Sequence, residues 1–221
     1  MSLPALDDIA THTGTTEPIP GVVRIETTPL EDTAATFFTQ LRSAYPHEDV
    51  FGKYCTVNDY VDCPPDELYE YLSDTRSLEE WTYTLRDFTP TDEPGLWAAY
   101  DRLLPDTTIY TRTFANSQAR TIDYHCAWDQ GKHLWMIYVM RVLDAQVVLG
   151  KPGSVVLWTN CRHPFYESNP YPETAPAERT GWVGDFWDLF GPGHALELNN
   201  LKSIAEYRHR HGLPVTPRWM K

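Results

Sequence analysis

Five polar side chains on three consecutive strand-like segments form a candidate cluster for acid–base chemistry. A tight turn over residues 116–119 pairs Arg112 with Asp123 and Tyr110 with His125, and the next turn sets Tyr138 opposite Asp123. A histidine can transfer protons near neutral pH, and an arginine oriented by a carboxylate can hold an enolate or a carboxylate beside a tyrosine hydroxyl. The candidate catalytic residues are therefore Tyr110, Arg112, Asp123, His125 and Tyr138.

The same residues also fit a solvated strand face. Arg112 and Asp123 would then be an exposed cross-strand ion pair of small energetic value, and Tyr110 with His125 would be an amphipathic surface pair. Ion pairs are common on solvated strands, so this reading is favoured over the catalytic one, and the face that lines an interior cavity stays open.

The opposite face of these strands is more apolar and is the expected interior. In that arrangement a largely aromatic pocket is lined by Tyr124, Cys126, Trp128, Trp135, Ile137, Thr159 and Cys161. Such a pocket needs no catalytic group, because binding a hydrophobic ligand would be a sufficient role for it.

The segment at residues 54–83 indicates which fold positions these strands. Residues 54–61 alternate as in a strand, and Pro64 and Pro65 then open a helix whose first turn carries Asp66 and Glu67. Apolar residues recur at helical spacing up to residue 72, and a second short helix ends at Trp81.

This order of elements resembles the opening of the START and polyketide cyclase superfamily, which has the helix-grip fold. Six further strand-like runs and a closing helix at about 194–211 follow it, so the resemblance covers about residues 54–211; the runs are 85–91, 96–103, 107–115, 120–128, 133–144 and 154–162. The resemblance implies an α+β fold, with a curved seven-stranded antiparallel sheet wrapped on a long C-terminal helix and two short helices after the first strand.

The resemblance also implies a cavity for a hydrophobic molecule between the concave sheet face and the long helix. Leu201 and Ala205 lie on the seam of that helix that would face the sheet. The implied function is cyclisation or dehydration of an aromatic or polyene substrate, by an enzyme without metal or other cofactor. The alternative is a noncatalytic carrier or sensor of a hydrophobic ligand.

Two segments depart from this pattern. Residues 1–50 form an N-terminal extension with one predicted helix at about 31–45, and residues 51–221 form the helix-grip ligand-binding domain. We expect the extension or a second subunit to cover part of the convex face, which makes a homodimer possible. The aromatic, proline-rich loop at 162–187 is expected to pack at the mouth of the sheet with partial contact to the pocket.

Composition excludes several partners. A net charge of −13, from 18 basic and 31 acidic residues, repels nucleic acid and anionic membranes. The sequence shows no export signal, no membrane span and no histidine pair at the spacing of a metal site. Four cysteines without a CxxC pair indicate buried thiols in a reducing compartment, so the expected location is cytoplasmic, and their even number leaves disulfides as the alternative.

Overall fold

The computed structural model describes residues 52–101, 106–177, 179, 181–217 and 220, together with Asp32 and Ala35. The chain divides into two units, Met1–Phe51 and Gly52–Lys221, and every element below belongs to the second. The N-terminal helix predicted at about 31–45 lies almost entirely outside the described residues.

The second unit is built on one antiparallel sheet. Its seven strands lie in the order β1-β7-β6-β5-β4-β3-β2, so the first and last strands of the chain are neighbours. The strands are β1 (Tyr54–Val61), β2 (Leu85–Pro90), β3 (Leu96–Asp101), β4 (Thr107–Asn116), β5 (Thr121–Trp128), β6 (Met136–Asp144) and β7 (Ser154–Cys161).

In the described part of the second unit, four α-helices accompany the sheet. They are α1 (Pro65–Ser73), α2 (Leu78–Trp81), α3 (Ala145–Leu149) and the long C-terminal α4 (Trp187–Arg210). Short 3-10 turns lie at Thr75–Ser77, Pro164–Tyr166, Pro172–Thr174 and Val183–Phe186. The strand order, the two short helices after β1 and the long last helix confirm the predicted helix-grip fold. Among the described residues, no helix combines the length and the apolar character needed to cross a bilayer.

The proline corner after β1 forms as the sequence indicates. Pro64 precedes α1 and Pro65 occupies its first turn, where a missing N–H leaves no hydrogen bond unmade. The Asp74 side chain then accepts a hydrogen bond from the Arg76 N–H, 2.9 Å away, and redirects the chain into α2. Trp81 ends α2 fully buried, with its ring edge-on to Trp158 at 5.6 Å between centroids. The corner therefore fixes α2 over the concave face, which is the sheet face that α4 covers.

Helix α4 is fastened to the rest of the molecule at its C-terminal half. Leu201 and Ala205 are fully buried against the sheet. The Arg208 guanidinium donates two hydrogen bonds to the Glu80 carboxylate of α2, at 2.7 and 2.8 Å. Lys202 reaches Asp59 of β1 at 3.1 Å. These contacts hold the C-terminal half of the helix, and residues of its N-terminal half line a cavity.

One predicted register is wrong, and the error changes which side chains face inward. The sequence predicts Tyr138 opposite Asp123, whereas Asp123 pairs with Val139 in the structure. The loop between β5 and β6 is one residue longer than predicted, and within it Asp129 and Gly131 adopt positive φ angles of 57° and 58°. Side chains alternate with a period of two, so this slip reverses every facing in β6 and β7.

The turn between β4 and β5 is also longer than expected, without the same consequence. Arg112 pairs with His125, where the sequence predicts Asp123, and Tyr110 pairs with Ala127, where the sequence predicts His125. A shift of two residues preserves the facing of each side chain. The predicted division of faces is therefore correct for β4 and β5 and reversed for β6 and β7.

Candidate functional site

A cavity of about 450 Å³ lies between the concave face and the N-terminal half of α4. Its floor comes from strands β3 to β7, one side from α2 and the segment that follows it, and its roof from α4 and the 3-10 turn before it. Eight aromatic side chains line it: Trp81, Tyr83, Tyr124, Trp128, Tyr138, Trp158, Phe186 and Phe190. Ile109, Met136, Leu78, Val183, Leu189 and Leu196 contribute further apolar surface. Such walls are typical of sites for hydrophobic small molecules.

Two polar groups of β5 that line the cavity are already engaged with the protein. The Tyr124 hydroxyl donates a hydrogen bond to the Leu72 carbonyl at 2.5 Å, and complete burial raises the pKa of that phenol. The Cys126 thiol lies 3.4 Å from the Thr111 hydroxyl, and desolvation raises its pKa to about 12. Both side chains therefore stay protonated at neutral pH and have a structural role.

Glu197 supplies a carboxyl group to the cavity wall. It is half-buried, and desolvation by the surrounding protein raises its pKa to about 7. Its carboxylate accepts a hydrogen bond from the Tyr83 N–H at 2.8 Å, which opposes part of that increase. The negative charge of Asp101 raises the pKa further, and the positive charge of Arg86 lowers it. The group is consequently present in both protonation states near neutral pH.

His194 lies one helical turn before Glu197 and also lines the cavity. Burial lowers its pKa to about 4, so the imidazole is neutral at physiological pH. Its Nδ1 lies 3.6 Å from the Cys55 Sγ, and its ring packs on Trp158 with 4.2 Å between centroids. The Tyr138 ring meets it edge-on at 5.6 Å, and burial raises the pKa of the Tyr138 phenol well above its usual value. A carboxyl, a neutral imidazole and a protonated phenol thus lie in the wall of one largely aromatic cavity.

The structure keeps four of the five candidate catalytic residues on one sheet face and places the fifth on the other. Tyr110, Arg112, Asp123 and His125 lie on the convex face, where the Arg112 guanidinium forms an ion pair with Glu93. The His125 ring packs against Phe114 at 4.6 Å, and burial lowers the pKa of its imidazole. Tyr138 is the exception, because the register slip turns it into the cavity. Tyr110, Arg112, Asp123 and His125 therefore share the convex face, where Asp123 raises and Arg112 lowers the pKa of His125, whereas Tyr138 lies on the other face of the sheet.

The predicted ligand-lining residues are divided in the same way. Tyr124, Cys126 and Trp128 line the cavity. The slip places Ile137, Thr159 and Cys161 on the convex face, where the Thr159 hydroxyl lies 2.8 Å from that of Thr56. Trp135 precedes β6 and packs edge-on against Tyr166 at 5.0 Å, outside the cavity lining. Leu201 and Ala205 belong to the packed seam of α4 beyond the cavity.

Glu197 and His194 are the site residues that sequence reasoning missed. They precede Leu201 by four and seven positions, so they share its face of the helix. They could have been recognised in the sequence as ionisable side chains on a helix face whose other residues are apolar and pack against a sheet. The sequence does not show that these two residues line a cavity, because the space between the sheet and the N-terminal half of α4 is visible only in the structure.

The long aromatic loop at 162–187 forms one wall of the site. Trp182 and Phe186 pack on Trp128, with ring centroids 5.9 and 6.2 Å apart. Arg179 forms an ion pair with Asp129 at the end of β5, and both side chains are only 5% exposed. Its guanidinium also donates a hydrogen bond to the Asp106 carbonyl at 2.6 Å and lies 5.6 Å from the Trp128 ring. The loop is thereby anchored beside the cavity. In the described part of the chain, no group of three or more His, Cys, Asp or Glu side chains is arranged to hold a metal ion.

The antiparallel sheet, the short helices after β1, the long last helix and the cavity between them together define a helix-grip protein. The Zhui aromatase/cyclase from Streptomyces sp. R1128 has the same fold, with a TM-score of 0.52 and 14% identity over 72% of this chain and 97% of that one. Two further similar structures are the Aha1 dimer from Colwellia psychrerythraea (TM-score 0.45, 14% identity, 69% of this chain and 96% of that one) and DynU16, a putative protein in the dynemicin biosynthetic locus. The DynU16 match has a TM-score of 0.43 and 11% identity, and covers 74% of this chain and 49% of that one.

At the level of sequence, the similarity is narrower. A family model described as "Domain of unknown function (DUF8713)" matches residues 49–154, which run from just before β1 to the start of β7. No curated protein matches the chain. The comparisons therefore show the fold alone, and any chemical role must be argued from the residues of the cavity.

Proposed function

We propose that this protein binds a hydrophobic aromatic or polyene molecule in the cavity and promotes its cyclisation or dehydration by proton transfer at Glu197. The observation that supports this proposal is the meeting of Glu197, His194 and Tyr138 in a cavity whose other walls are mostly apolar. A purely passive binding site would need one anchoring hydrogen bond and no titratable group near neutral pH. The fold shared with an aromatase/cyclase is consistent with the proposal.

Each polar group has a role that follows from its environment. The ionised Glu197 carboxylate accepts a proton from a carbon or hydroxyl of the substrate, and the protonated form returns it to a leaving hydroxyl. The Tyr138 phenol stays protonated and is hydrogen-bonded to Tyr166, so it adds a polar but uncharged group to the cavity wall. The neutral His194 imidazole can accept or donate one hydrogen bond without adding charge. The aromatic walls hold the reacting molecule in a folded shape and exclude water.

A noncatalytic carrier is the second candidate, and the cavity's composition favours it in one respect. Most of the lining is apolar, and the Tyr124 hydroxyl is occupied by the Leu72 carbonyl. Under this alternative, Glu197 would do no more than hold one polar group of the ligand. The two candidates differ in whether changing Glu197 alters a reaction rate or only an affinity.

Proton exchange in a simple bound ketone separates these candidates without knowledge of the natural substrate. We expect the protein to accelerate exchange of the benzylic α-protons of 2-tetralone for deuterium, measured by proton NMR in D2O. The rate should rise with pH through about 7 as Glu197 ionises and then level off. Glu197→Gln should lower the catalysed rate by about 100-fold or more, since it removes the proton acceptor and keeps the shape.

Asp188→Asn is the matched control, because Asp188 is exposed on the same helix and does not line the cavity. This variant should exchange the ketone's protons at the wild-type rate. If the wild type binds 2-tetralone and Glu197→Gln exchanges its protons equally fast, the carrier is correct and the enzyme is not.

A further inference from the structure

The His194 side chain is held between aromatic rings from two strands and from its own helix. Its imidazole packs on Trp158 of β7 with 4.2 Å between centroids, and Phe190 and Tyr138 meet it edge-on at 5.3 and 5.6 Å. The residue is only 7% exposed and lines the cavity. Because close packing on several sides restricts the ring to one orientation, each of its two nitrogens has a fixed environment.

The first of these nitrogens faces a thiol of β1. Nδ1 of His194 lies 3.6 Å from the Sγ of Cys55, which is half-buried and is not part of the cavity lining. Burial raises the pKa of this thiol and lowers the pKa of the imidazole to about 4, so both groups are neutral near pH 7. Sulfur is a weak acceptor and an unprotonated imidazole nitrogen is a good one, so the S–H donates to Nδ1. The proton of the neutral imidazole then lies on Nε2.

The second nitrogen of His194 is open to a ligand. Among the described residues none is hydrogen-bonded to Nε2, and this atom is not one of the polar atoms that the protein encloses completely. The hydroxyls of Tyr124 and Tyr138, which also line the cavity, are by contrast bonded to the Leu72 carbonyl and to Tyr166. An N–H group without a protein partner in an apolar wall is satisfied best by an oxygen acceptor of the bound molecule.

We propose that Cys55 holds His194 in the tautomer with its proton on Nε2, and that this N–H donates a hydrogen bond to a carbonyl oxygen of the ligand. Cys55 is then a positioning residue, because it acts through His194 and does not touch the ligand. The substrate class is a ketone with an acidic α-hydrogen. The inference rests on the proposed function, since it names the group on which the same cavity acts.

The spacing of His194 and Glu197 fits this substrate class. Residues three apart on a helix are neighbours, with about 5–6 Å between their Cβ atoms, and both of these residues line the cavity. A single carbon atom separates the oxygen of a ketone from its α-carbon, so one carbonyl group can reach both side chains.

The proton transfer is balanced with these two side chains alone. The Glu197 carboxylate takes the α-proton, and the electron pair of the broken C–H bond moves into the carbonyl group. The enolate oxygen that results is stabilised by the Nε2–H of His194, which stays on the imidazole throughout. The Glu197 carboxyl then returns the proton to carbon or to a leaving hydroxyl, so no further reactant is required.

Nitrogen-15 NMR of the full chain reads the tautomer of His194 without any ligand. Protonated and unprotonated ring nitrogens resonate at well-separated positions, and the signals of this residue are those that His194→Phe removes. We expect the wild type at pH 7 to show a protonated Nε2 and an unprotonated Nδ1. Cys55→Ala should move the Nδ1 signal toward that of a nitrogen without a hydrogen bond, and Cys55→Ser, whose hydroxyl can also donate, should restore it.

Cys161→Ala is the matched control, because Cys161 is exposed and lies on the convex face. This variant should leave both nitrogen signals of His194 unchanged. A wild-type imidazole with its proton on Nδ1, or an Nδ1 signal that Cys55→Ala leaves in place, would overturn the role of Cys55.

Two ligands that differ by one oxygen test the carbonyl contact. They are 2-tetralone and tetralin, which has the same ring system without the carbonyl, titrated into the wild type and His194→Phe by calorimetry. Loss of one hydrogen bond should weaken 2-tetralone binding about three- to tenfold in the variant and leave tetralin binding unchanged. With a carbon-13 label at its carbonyl, 2-tetralone should also show a downfield shift on binding to the wild type that His194→Phe reduces.

The outcomes separate this inference from the proposed function. Equal losses of affinity for both ligands in His194→Phe, or a carbonyl signal that the variant leaves in place, would show that the carbonyl contact is wrong while the hydrophobic cavity stands. A carbonyl signal that depends on His194, with no exchange of α-protons by Glu197, would support the hydrogen bond and overturn the catalytic proposal. If neither ligand binds to the wild type, the proposed function and the carbonyl contact are wrong together.

Discussion

Replacing Gly193 with tryptophan is expected to close the cavity and to weaken binding of a neutral aromatic probe such as 2-naphthaleneethanol by at least about tenfold. Gly193 lines the cavity on α4, and a Cβ added there meets no atom within 4 Å. The new indole therefore has an open path and occupies space that a ligand would need. A loss of tenfold corresponds to about 1.4 kcal/mol, which is modest for a ligand excluded by direct overlap.

Gly191→Trp provides a matched control for this variant. Gly191 lies two positions earlier on the same helix, a Cβ added there also has open space, and it is not part of the cavity lining. Both substitutions replace a helical glycine, so neither should weaken the helix itself. Probe affinities measured by calorimetry should fall for Gly193→Trp and stay within about threefold of wild type for Gly191→Trp. Equal affinities in the two variants would mean that the probe binds elsewhere.

Replacing Arg179 with methionine is expected to lower the free energy of unfolding by about 3–5 kcal/mol. The change leaves the Asp129 carboxylate, which is 5% exposed, without its cation, and a buried unpaired charge is costly. It also removes the hydrogen bond to the Asp106 carbonyl and the contact with Trp128. The loop that carries Trp182 and Phe186 should then detach more easily, which urea unfolding and limited proteolysis within 162–187 would both report.

Two further variants identify the charge as the cause. Arg162→Met breaks a more exposed ion pair, with Glu167 at 3.2 Å and 61% exposed, and should cost about 1 kcal/mol or less. Asp129→Asn combined with Arg179→Met removes both buried charges and should recover part of the lost stability, since the Asn side chain can still accept the hydrogen bond from the Thr108 N–H. A double variant less stable than Arg179→Met alone would show that the loss arises from packing and not from the unpaired carboxylate.

The path of the chain could be predicted from the sequence because local signals mark it. Alternation in β1, the two prolines after it and the spacing up to Trp81 depend on neighbouring residues alone, and they form as expected. The strands β4 and β5 keep their predicted faces even though their turn was misjudged, because the error was an even number of residues.

The site was harder to predict because it depends on a one-residue difference in the length of a loop. It also depends on how elements far apart in the sequence pack together. The loop at Asp129–Trp135 adds a single residue, and this turns Tyr138 inward and Ile137, Thr159 and Cys161 outward. No periodic pattern within β6 could reveal this slip, since both of its faces are rich in apolar side chains. The role of Glu197 depends on where α4 departs from the sheet, which only the packed structure shows.

Native mass spectrometry of the protein purified without denaturation from its own source tests the cavity as a binding site most directly. The wild type should carry a noncovalent small-molecule adduct that is released on collisional activation, and Gly193→Trp, expressed in the same cells, should have lost it. Identical spectra for the two proteins, whether both bare or both carrying the same adduct, would contradict the assignment of the cavity as the ligand site.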